Sequence, residues 1–371
     1  MKSIKNLKGI KGKKVLVRAD FNVPLKGNRV LDTTRITAAL PTIAYLRKAG
    51  AKVILISHIG RDPKESLKPV YSLLKKHFPL QFVSDITGEK AQKAIAEMKN
   101  GEVILLENLR SDEREKENNK SFAKELASLA DIYVNEAFPV SHREDTSIVG
   151  VPKLLPSYAG IQFEREVQAL SKILQPKHPF LFIQGGAKAE TKIPLLKRYL
   201  KEADQVFIGG ELANDFFQAK GIAIGKSVVD EHIPPLKAFL KNPKLILPQS
   251  IVVSRGGKKQ TISVDDVRES ESIFDIGLPS IHALAVLIKK AKLIVWNGPM
   301  GWYEGGYVKG TEEVIKLLAN AKGETIIGGG DTAVLIEKKK LADKFTFVST
   351  AGGAALEFMA KGTLPGIKAL K

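Results

Sequence analysis

Val15-Leu16-Val17-Arg18-Ala19-Asp20-Phe21-Asn22-Val23-Pro24 begins as an apolar, β-branched run and turns at once into Arg, Asp and Asn. A short apolar run of this kind predicts a strand buried on both faces. The polar residues behind it predict chemistry at its carboxyl end, where open parallel sheets bind ligands. The pattern repeats outward. Residues 53–56, 103–106 and 132–134 are further apolar runs in the first half, and residues 180–183, 206–208, 293–296, 325–327 and 345–348 form a second set. Helical spacing separates them, so the chain predicts βα units gathered into two α/β lobes with parallel sheets. Between the sets, residues 158–174 place Ile161, Val167, Leu170 and Leu174 at helical spacing and predict a connecting helix. Residues 251–264, turning through Arg255-Gly256-Gly257-Lys258, predict a peripheral hairpin. The charged run 112–120 predicts the exposed start of a helix continuing through Phe122, Leu126 and Leu129, with no function assigned.

Composition bounds the reading. The 371 residues suit two or three domains of roughly 150 each, and 44% hydrophobic residues supply their cores. No apolar run nears the roughly 18 residues that span a bilayer, and residues 1–14 are basic without the apolar stretch of a secretory signal. A cytoplasmic address with no membrane partner is the expectation. Without cysteine there are no disulfides and no thiolate chemistry. The net charge of +18 invites a second reading, a polyanion- or nucleic-acid-binding α/β protein. Against it, 46 of the 58 basic residues are scattered lysines, and no helix-turn-helix, zinc-finger or RNP signature occurs. A nicotinamide dehydrogenase lacks its fingerprint glycines. Eight of the 12 arginines fall before residue 150.

The strand ends of the two halves carry different residues. In the first half they are Arg18-Ala19-Asp20-Phe21-Asn22, Ser57-His58-Ile59-Gly60-Arg61, Glu107-Asn108-Leu109-Arg110 and the segment from Asn135 to His142-Arg143. With Arg35, these four arginine-bearing loops predict a pocket whose guanidinium forks hold a phosphate or carboxylate. A single such arginine is better explained by a surface ion pair; repetition at successive strand ends is not. His58, beside Gly60-Arg61, is read as a ligand-binding residue rather than a locally satisfied one. In the second half the strands end in Gly185-Gly186-Ala187-Lys188, Gly209-Gly210, Asn297-Gly298-Pro299-Met300-Gly301, Gly328-Gly329-Gly330-Asp331-Thr332 and Ala351-Gly352-Gly353. Such loops bring backbone N–H groups to phosphates at helix N-termini and predict a nucleotide site, although no Walker A loop is present. Lys188 and Lys192, four apart, predict two ammonium groups on one helical face, and Asp331 is placed for a hard divalent cation bridging phosphates.

These segments resemble phosphoglycerate kinases over essentially the whole chain. The most specific match is residues 15–24, supported by 57–61, 107–110, 185–188, 296–301, 328–332 and 349–353. The resemblance implies two Rossmann-like lobes joined by an interdomain helix and a hinge. Residues 1–155 would bind phosphoglycerate, 156–175 would connect, 176–359 would bind nucleotide, and 360–371 would return to the first lobe. It implies a cytoplasmic monomer of glycolysis that transfers phosphoryl between ATP and the carboxylate of 3-phosphoglycerate, giving ADP and 1,3-bisphosphoglycerate, with Mg2+ on the nucleotide and no obligatory nucleic acid. By matching position, Asp20, Phe21, Asn22, Arg35, His58, Ile59, Gly60, Arg61, Arg110 and Arg143 would form the acid site, with Arg35 and Lys192 catalytic. Gly185, Gly186, Lys188, Lys192, Gly210, Asn297, Glu304, Gly329, Gly330, Asp331 and Thr332 would meet the nucleotide, Glu304 at the ribose and Asp331 through the metal. Gly352 and Gly353 would serve as hinge or as transition-state backbone donors. The chain departs from the pattern at Glu136, Pro139, Glu144-Asp145, Glu211 and Trp302. Trp302, beside Asn297 and Glu304, is expected to sense bound adenine.

Overall fold

Lys14–Ala19 lies with all but its first residue buried, as expected of a strand covered on both faces. A computed structural model describes residues 1–230 and 235–371. There this strand sits inside a six-stranded parallel sheet in the order Gln81–Phe82, Val103–Leu105, Lys52–Ile56, Lys14–Ala19, Ile132–Glu136, Ser157–Ala159. A second six-stranded parallel sheet runs Leu245–Ile246, Gln205–Ile208, Phe180–Gln184, Leu293–Asn297, Glu324–Gly328, Phe347–Val348. The chain divides into two compact units, one of Met1–Gln168 with Lys361–Lys371, the other of Ala169–Ala360.

Each sheet grows one way from its first strand and then reverses. In the first unit the reversal falls between Lys14–Ala19 and Ile132–Glu136, and in the second between Phe180–Gln184 and Leu293–Asn297. The crevice at such a switch point, beyond the strands' carboxyl ends, is where ligands sit. The cores lie under those crevices. Val15, Val17, Val53, Leu55 and Val134 pack on Ile36, Ile43 and Leu46 of the helix Thr34–Lys48. In the second unit Ile183, Ile294, Trp296 and Ile327 pack with Leu284 and with Val314, Ile315 and Leu318 of the helix Lys309–Ala319. Within the first unit the last segment is fastened by Gly366, whose N–H donates to the Ser141 carbonyl at 2.9 Å and whose α-carbon has no room for a side chain against Ser141.

Several expectations are corrected. Residues 158–174 are not helical from the start: Ser157–Ala159 is an edge strand, the helix is Ile161–Ser171, and a 3-10 turn Lys172–Leu174 follows. The charged run 112–120 does not open a helix either. It forms a 3-10 turn, Glu113–Glu117, closed by Asn118 at φ 50°, and a separate helix Lys120–Ser128 begins after the Asn119 side chain accepts from Ser121 and Phe122 N–H. Of residues 345–348 only Phe347–Val348 is strand. The hairpin Ser250–Arg255 and Lys258–Ser263 is present, with Gly256 and Gly257 both at positive φ in its two-residue loop. It is not peripheral: Ile273–Ile276 adds a third antiparallel strand, Val253 is buried, and Ile251 lines a cavity.

Candidate functional site

In the first unit three loops lock together through backbone and carboxamide groups. Ser57 Oγ accepts from Phe21 N–H, Asn22 Oδ1 accepts from Gly60 N–H, and Asn108 Oδ1 accepts from the N–H groups of Ile59 and Arg110. Asn108 Nδ2 donates to the carbonyls of Ile59 and Glu65, and Arg110 Nη1 donates to Gly60 O. This lattice presents cations. Arg35 Nη1 lies 3.0 Å from Asp20 Oδ2 and donates to Asn22 O, while Arg110, Arg143 and Arg35 all bear electrostatically on His58. Burial first, then these guanidiniums and Arg18, hold the His58 imidazole far below the usual histidine range. Burial and the neighbouring Arg143 also lower Arg110. A buried neutral imidazole among crowded guanidiniums is a site that favours an anion. Beside it Asn22, Arg35, Gly60 and Glu65 line a cavity of about 500 Å3.

The predicted acid-site residues fall into three groups. Asp20, Asn22, Arg35, His58, Gly60, Arg110 and Arg143 gather at the switch point. Arg61 follows them on an exposed bend. Phe21 and Ile59 instead turn fully into the core, and both spend their N–H groups on Ser57 and Asn108, so they support the site without facing it. Arg18 is not a loop arginine: it is 0% exposed and hydrogen-bonds Ser147, Ala19 O and His58. Sequence reasoning missed Glu115, buried behind Ser147 within a run read as solvated. Glu136 is likewise structural. Its carboxylate accepts from Thr42 Oγ1 and from Gln162 and Phe163 N–H, and so holds the start of the helix Ile161–Ser171. Asp145, another of the departures from the family pattern, is buried at the N-terminal edge of the π-helical turn Thr146–Gly150.

In the second unit a cavity of about 460 Å3 opens at the switch point, lined by the loops after Phe180–Gln184, Gln205–Ile208 and Leu293–Asn297 and by Phe217, Ile251 and Ile276. The glycines around it do not act as expected. Gly185 N–H donates to Asn297 O, Gly186 N–H to Pro299 O, and Gly210 N–H to Met300 O, so these donors are already used. What the glycines supply is close approach: a β-carbon on Gly185 would strike Pro299 O, and one on Gly210, at φ 63°, would strike Gly186 N. The groups left for a ligand lie one strand over. Asn297 is 1% exposed with both carboxamide atoms unpartnered, and Thr332 Oγ1 is buried and unpartnered among the described residues. They flank Gly329, whose α-carbon is held too near Asn297 Oδ1 for any side chain, and Gly330, which opens the helix Gly330–Lys338 with Asp331 exposed in its first turn.

The two lysines differ. Lys188 is exposed at φ 63°, and the helix Ala189–Glu202 starts only after it, so the expected shared helical face does not form. Lys192, inside that helix, is 9% exposed; burial lowers it to about 8, with Asp331 pulling it back up and Lys188 pushing it down. Glu304 and Trp302 line the cavity mouth. The Trp302 ring, 55% exposed, lies beside Tyr307 with planes 10° apart, and both lie against Phe274. Glu211 also lines the cavity, and burial followed by Asp230 raises its carboxyl. Gly352, at φ 53°, precedes the helix Gly353–Lys361. No helix is long and apolar enough to cross a membrane, and no group of three His, Asp or Glu residues for a metal occurs among the described residues.

Three comparisons bear on these two sites. The sequence model of the family described as phosphoglycerate kinase matches residues 4–362. Among curated proteins, the phosphoglycerate kinase of Moorella thermoacetica is 44% identical over 380 residues, covering 97% of each chain. That of Borreliella burgdorferi is 41% identical over 390 residues, covering 100% of this chain and 99% of its own. Among solved structures, phosphoglycerate kinase from Coxiella burnetii superposes with a TM-score of 0.86 at 37% identity, covering 99% of this chain and 97% of its own. The one from Pyrococcus horikoshii reaches 0.88 at 30% identity, covering 100% and 98%.

Proposed function

Because the chain belongs to the phosphoglycerate kinase family, we propose that its two compact units divide the family's reaction between them, the first binding the acid and the second the nucleotide. The activity is that of a phosphotransferase of glycolysis: reversible transfer of a phosphoryl group between ATP and the carboxylate of 3-phosphoglycerate, with 1,3-bisphosphoglycerate and ADP on the other side. The observation that carries the division is the contrast between the two crevices. One gathers Arg35, Arg110 and Arg143 around a buried neutral His58; the other is a largely apolar cavity that reaches Asp331 at the start of the helix Gly330–Lys338, with the buried Lys192 ammonium close enough to feel the Asp331 charge.

In this reading Arg61, Arg110, Arg143 and His58 hold the phosphate and carboxylate of the acid, with Asn22 and Asp20 fixing the loop and Arg35. The acid's carboxylate is ionised at pH 7 and attacks the γ-phosphorus while ADP departs, so no general base is needed. Positioning and charge stabilisation are then the whole task. Arg35 and Lys192 are the two cations for the transferring group, joined by N–H donors at Gly352-Gly353. The nucleotide's phosphates lie along Asn297, Gly329, Gly330 and Thr332, with Lys188 at the rim, Glu304 at the ribose and the base over the apolar cavity. The donor set also fits Mg2+, which takes one or two carboxylates plus phosphate oxygens and needs no cage of its own. Asp331, exposed in the first helical turn, would be its protein ligand. When bound, the ion supplies charge neutralisation on the phosphate chain.

The working form we infer is a monomer, since the described residues that line each crevice belong to one unit of this chain, and a cytoplasmic address is inferred from the glycolytic reaction. Calorimetry tests the division: 3-phosphoglycerate binding should be lost in Arg110→Ala with MgADP affinity unchanged, and the converse should hold for Thr332→Val. Loss of both ligands in either variant would refute separate sites.

A further inference from the structure

Arg18 is the largest buried charge in the first unit, and the way it is held singles it out. Its Nε donates to Ser147 Oγ at 2.8 Å, its Nη1 to Ala19 O at 2.6 Å, and its Nη2 approaches His58 Nδ1 at 2.9 Å. Its counter-charge comes through the hydroxyl it contacts. Ser147 Oγ donates to Glu115 Oε1 at 2.6 Å, Ser147 N–H donates to Glu115 Oε2 at 3.0 Å, and Tyr133 Oη donates to Ser147 O at 2.7 Å, so the serine is fixed on every side. Arg18, Ser147, Tyr133, Glu115 and His58 are all nearly or fully buried.

A guanidinium has only donors. Nδ1 of His58 must therefore accept, and the ring proton must sit on Nε2. That Nε2 is buried and has no partner among the described residues, and the ring is flanked by Arg110, Arg143 and Arg35, the guanidiniums read above as the acid site. A buried N–H with nothing to donate to is a group held for a ligand. We propose that Arg18, anchored by Ser147 and Glu115, is a positioning residue that locks His58 as its Nε2–H tautomer and directs that N–H at an anionic oxygen of the bound acid. Arg18 thus contributes to acid binding through the imidazole rather than by contact. The imidazole adds a directional neutral donor where a further full charge would be crowded by three guanidiniums. The inference rests on the assignment of His58 to the acid site.

The test uses the full chain with 15N-labelled histidine at pH 7.5, the His58 ring signals being assigned by their loss in His58→Ala. Wild type should show Nε2 protonated and Nδ1 as a hydrogen-bonded acceptor, whereas an Nδ1–H tautomer or a doubly protonated ring would overturn the proposal. Steady-state kinetics then closes a double-mutant cycle. Arg18→Met should raise KM for 3-phosphoglycerate about 10- to 100-fold, the worth of a hydrogen bond to a charged group, with KM for ATP within twofold. The rise should vanish in the His58→Ala background. An equal rise in both backgrounds would mean Arg18 acts on the acid independently of His58. Should Arg18→Met fail to fold, Ser147→Ala keeps the guanidinium and removes its anchor; it should raise the same KM several-fold, again only when His58 is present, and no rise would refute the anchoring. If His58→Ala alone leaves acid KM unchanged, it is the placement of His58 in the acid site that fails.

Discussion

Lys192→Met should make the second unit more stable while destroying its activity. Lys192 sits in the helix Ala189–Glu202, and burial holds its ammonium at about 8 instead of the ordinary 10.5. At about 1.36 kcal/mol per pH unit, that gap corresponds to roughly 3 kcal/mol of folding stability forgone at neutral pH. The sign follows from the two states. Below pH 8 the group is charged both folded and unfolded, so the cost is present in full. As pH rises from 8 to 10.5 the folded form is already neutral, the cost shrinks, and above 10.5 it is gone. Methionine keeps the length and apolar packing without the charge. For a unit of this size roughly 3 kcal/mol corresponds to a Tm increase of about 6 to 12 °C. In catalysis the loss of a cation facing the transferring group should lower kcat by about 10²- to 10³-fold. Differential scanning calorimetry between pH 7 and 10.5, beside a coupled assay of turnover, checks both halves. A variant less stable than wild type at pH 7, or one retaining kcat within tenfold, would refute the reasoning, because the lysine's burial would then serve packing rather than chemistry.

Arg35→Ala should lower kcat by about 10³ to 10⁵ with little change in KM for 3-phosphoglycerate, as expected of a cation acting on the phosphoryl in flight; unchanged kcat with a raised KM would make Arg35 a ground-state clamp. Titration with MgADP should change tryptophan fluorescence, and Trp302→Phe should abolish the signal, since Trp302 is exposed at the cavity mouth and Trp296 is fully buried in the core. A signal that survives would locate the reporter at Trp296. Gly210→Ala should weaken MgADP binding at least tenfold and lower Tm, because a β-carbon there strikes Gly186 N and the backbone is at positive φ; unaltered binding in calorimetry would show that the two loops can part without harm.

The parallel strands were readable because burial on both faces leaves an uninterrupted apolar run, as in Lys14–Ala19 and Phe180–Gln184. Edge strands such as Gln81–Phe82 and Leu245–Ile246 are two residues long, too short for any period to register, and only the neighbouring strand makes them strands. The site was legible as a set of loops but not as a set of roles. Arg18 and Arg110 look alike in sequence, yet one alternates into the sheet's interior and the other follows a strand's end. Glu115 sits in a run of charges whose 3-10 geometry turns one of them inward, and local pattern carries no mark of which. The glycine loops announced a close approach of backbone but not what approached. At Gly185, Gly186 and Gly210 it is the chain itself, and among the described residues the buried polar groups left unpartnered nearby are the Asn297 carboxamide and the Thr332 hydroxyl.

The central claim is that this chain moves a phosphoryl group from ATP to the carboxylate of 3-phosphoglycerate through an acid crevice in one unit and a nucleotide crevice in the other. Its most direct measurement is ADP formation in a coupled assay with ATP, Mg2+ and 3-phosphoglycerate, repeated with the acid omitted. Turnover that saturates in both substrates and vanishes without the acid is the predicted result. No ADP with both substrates present, or ADP released at the same rate without 3-phosphoglycerate, would contradict it.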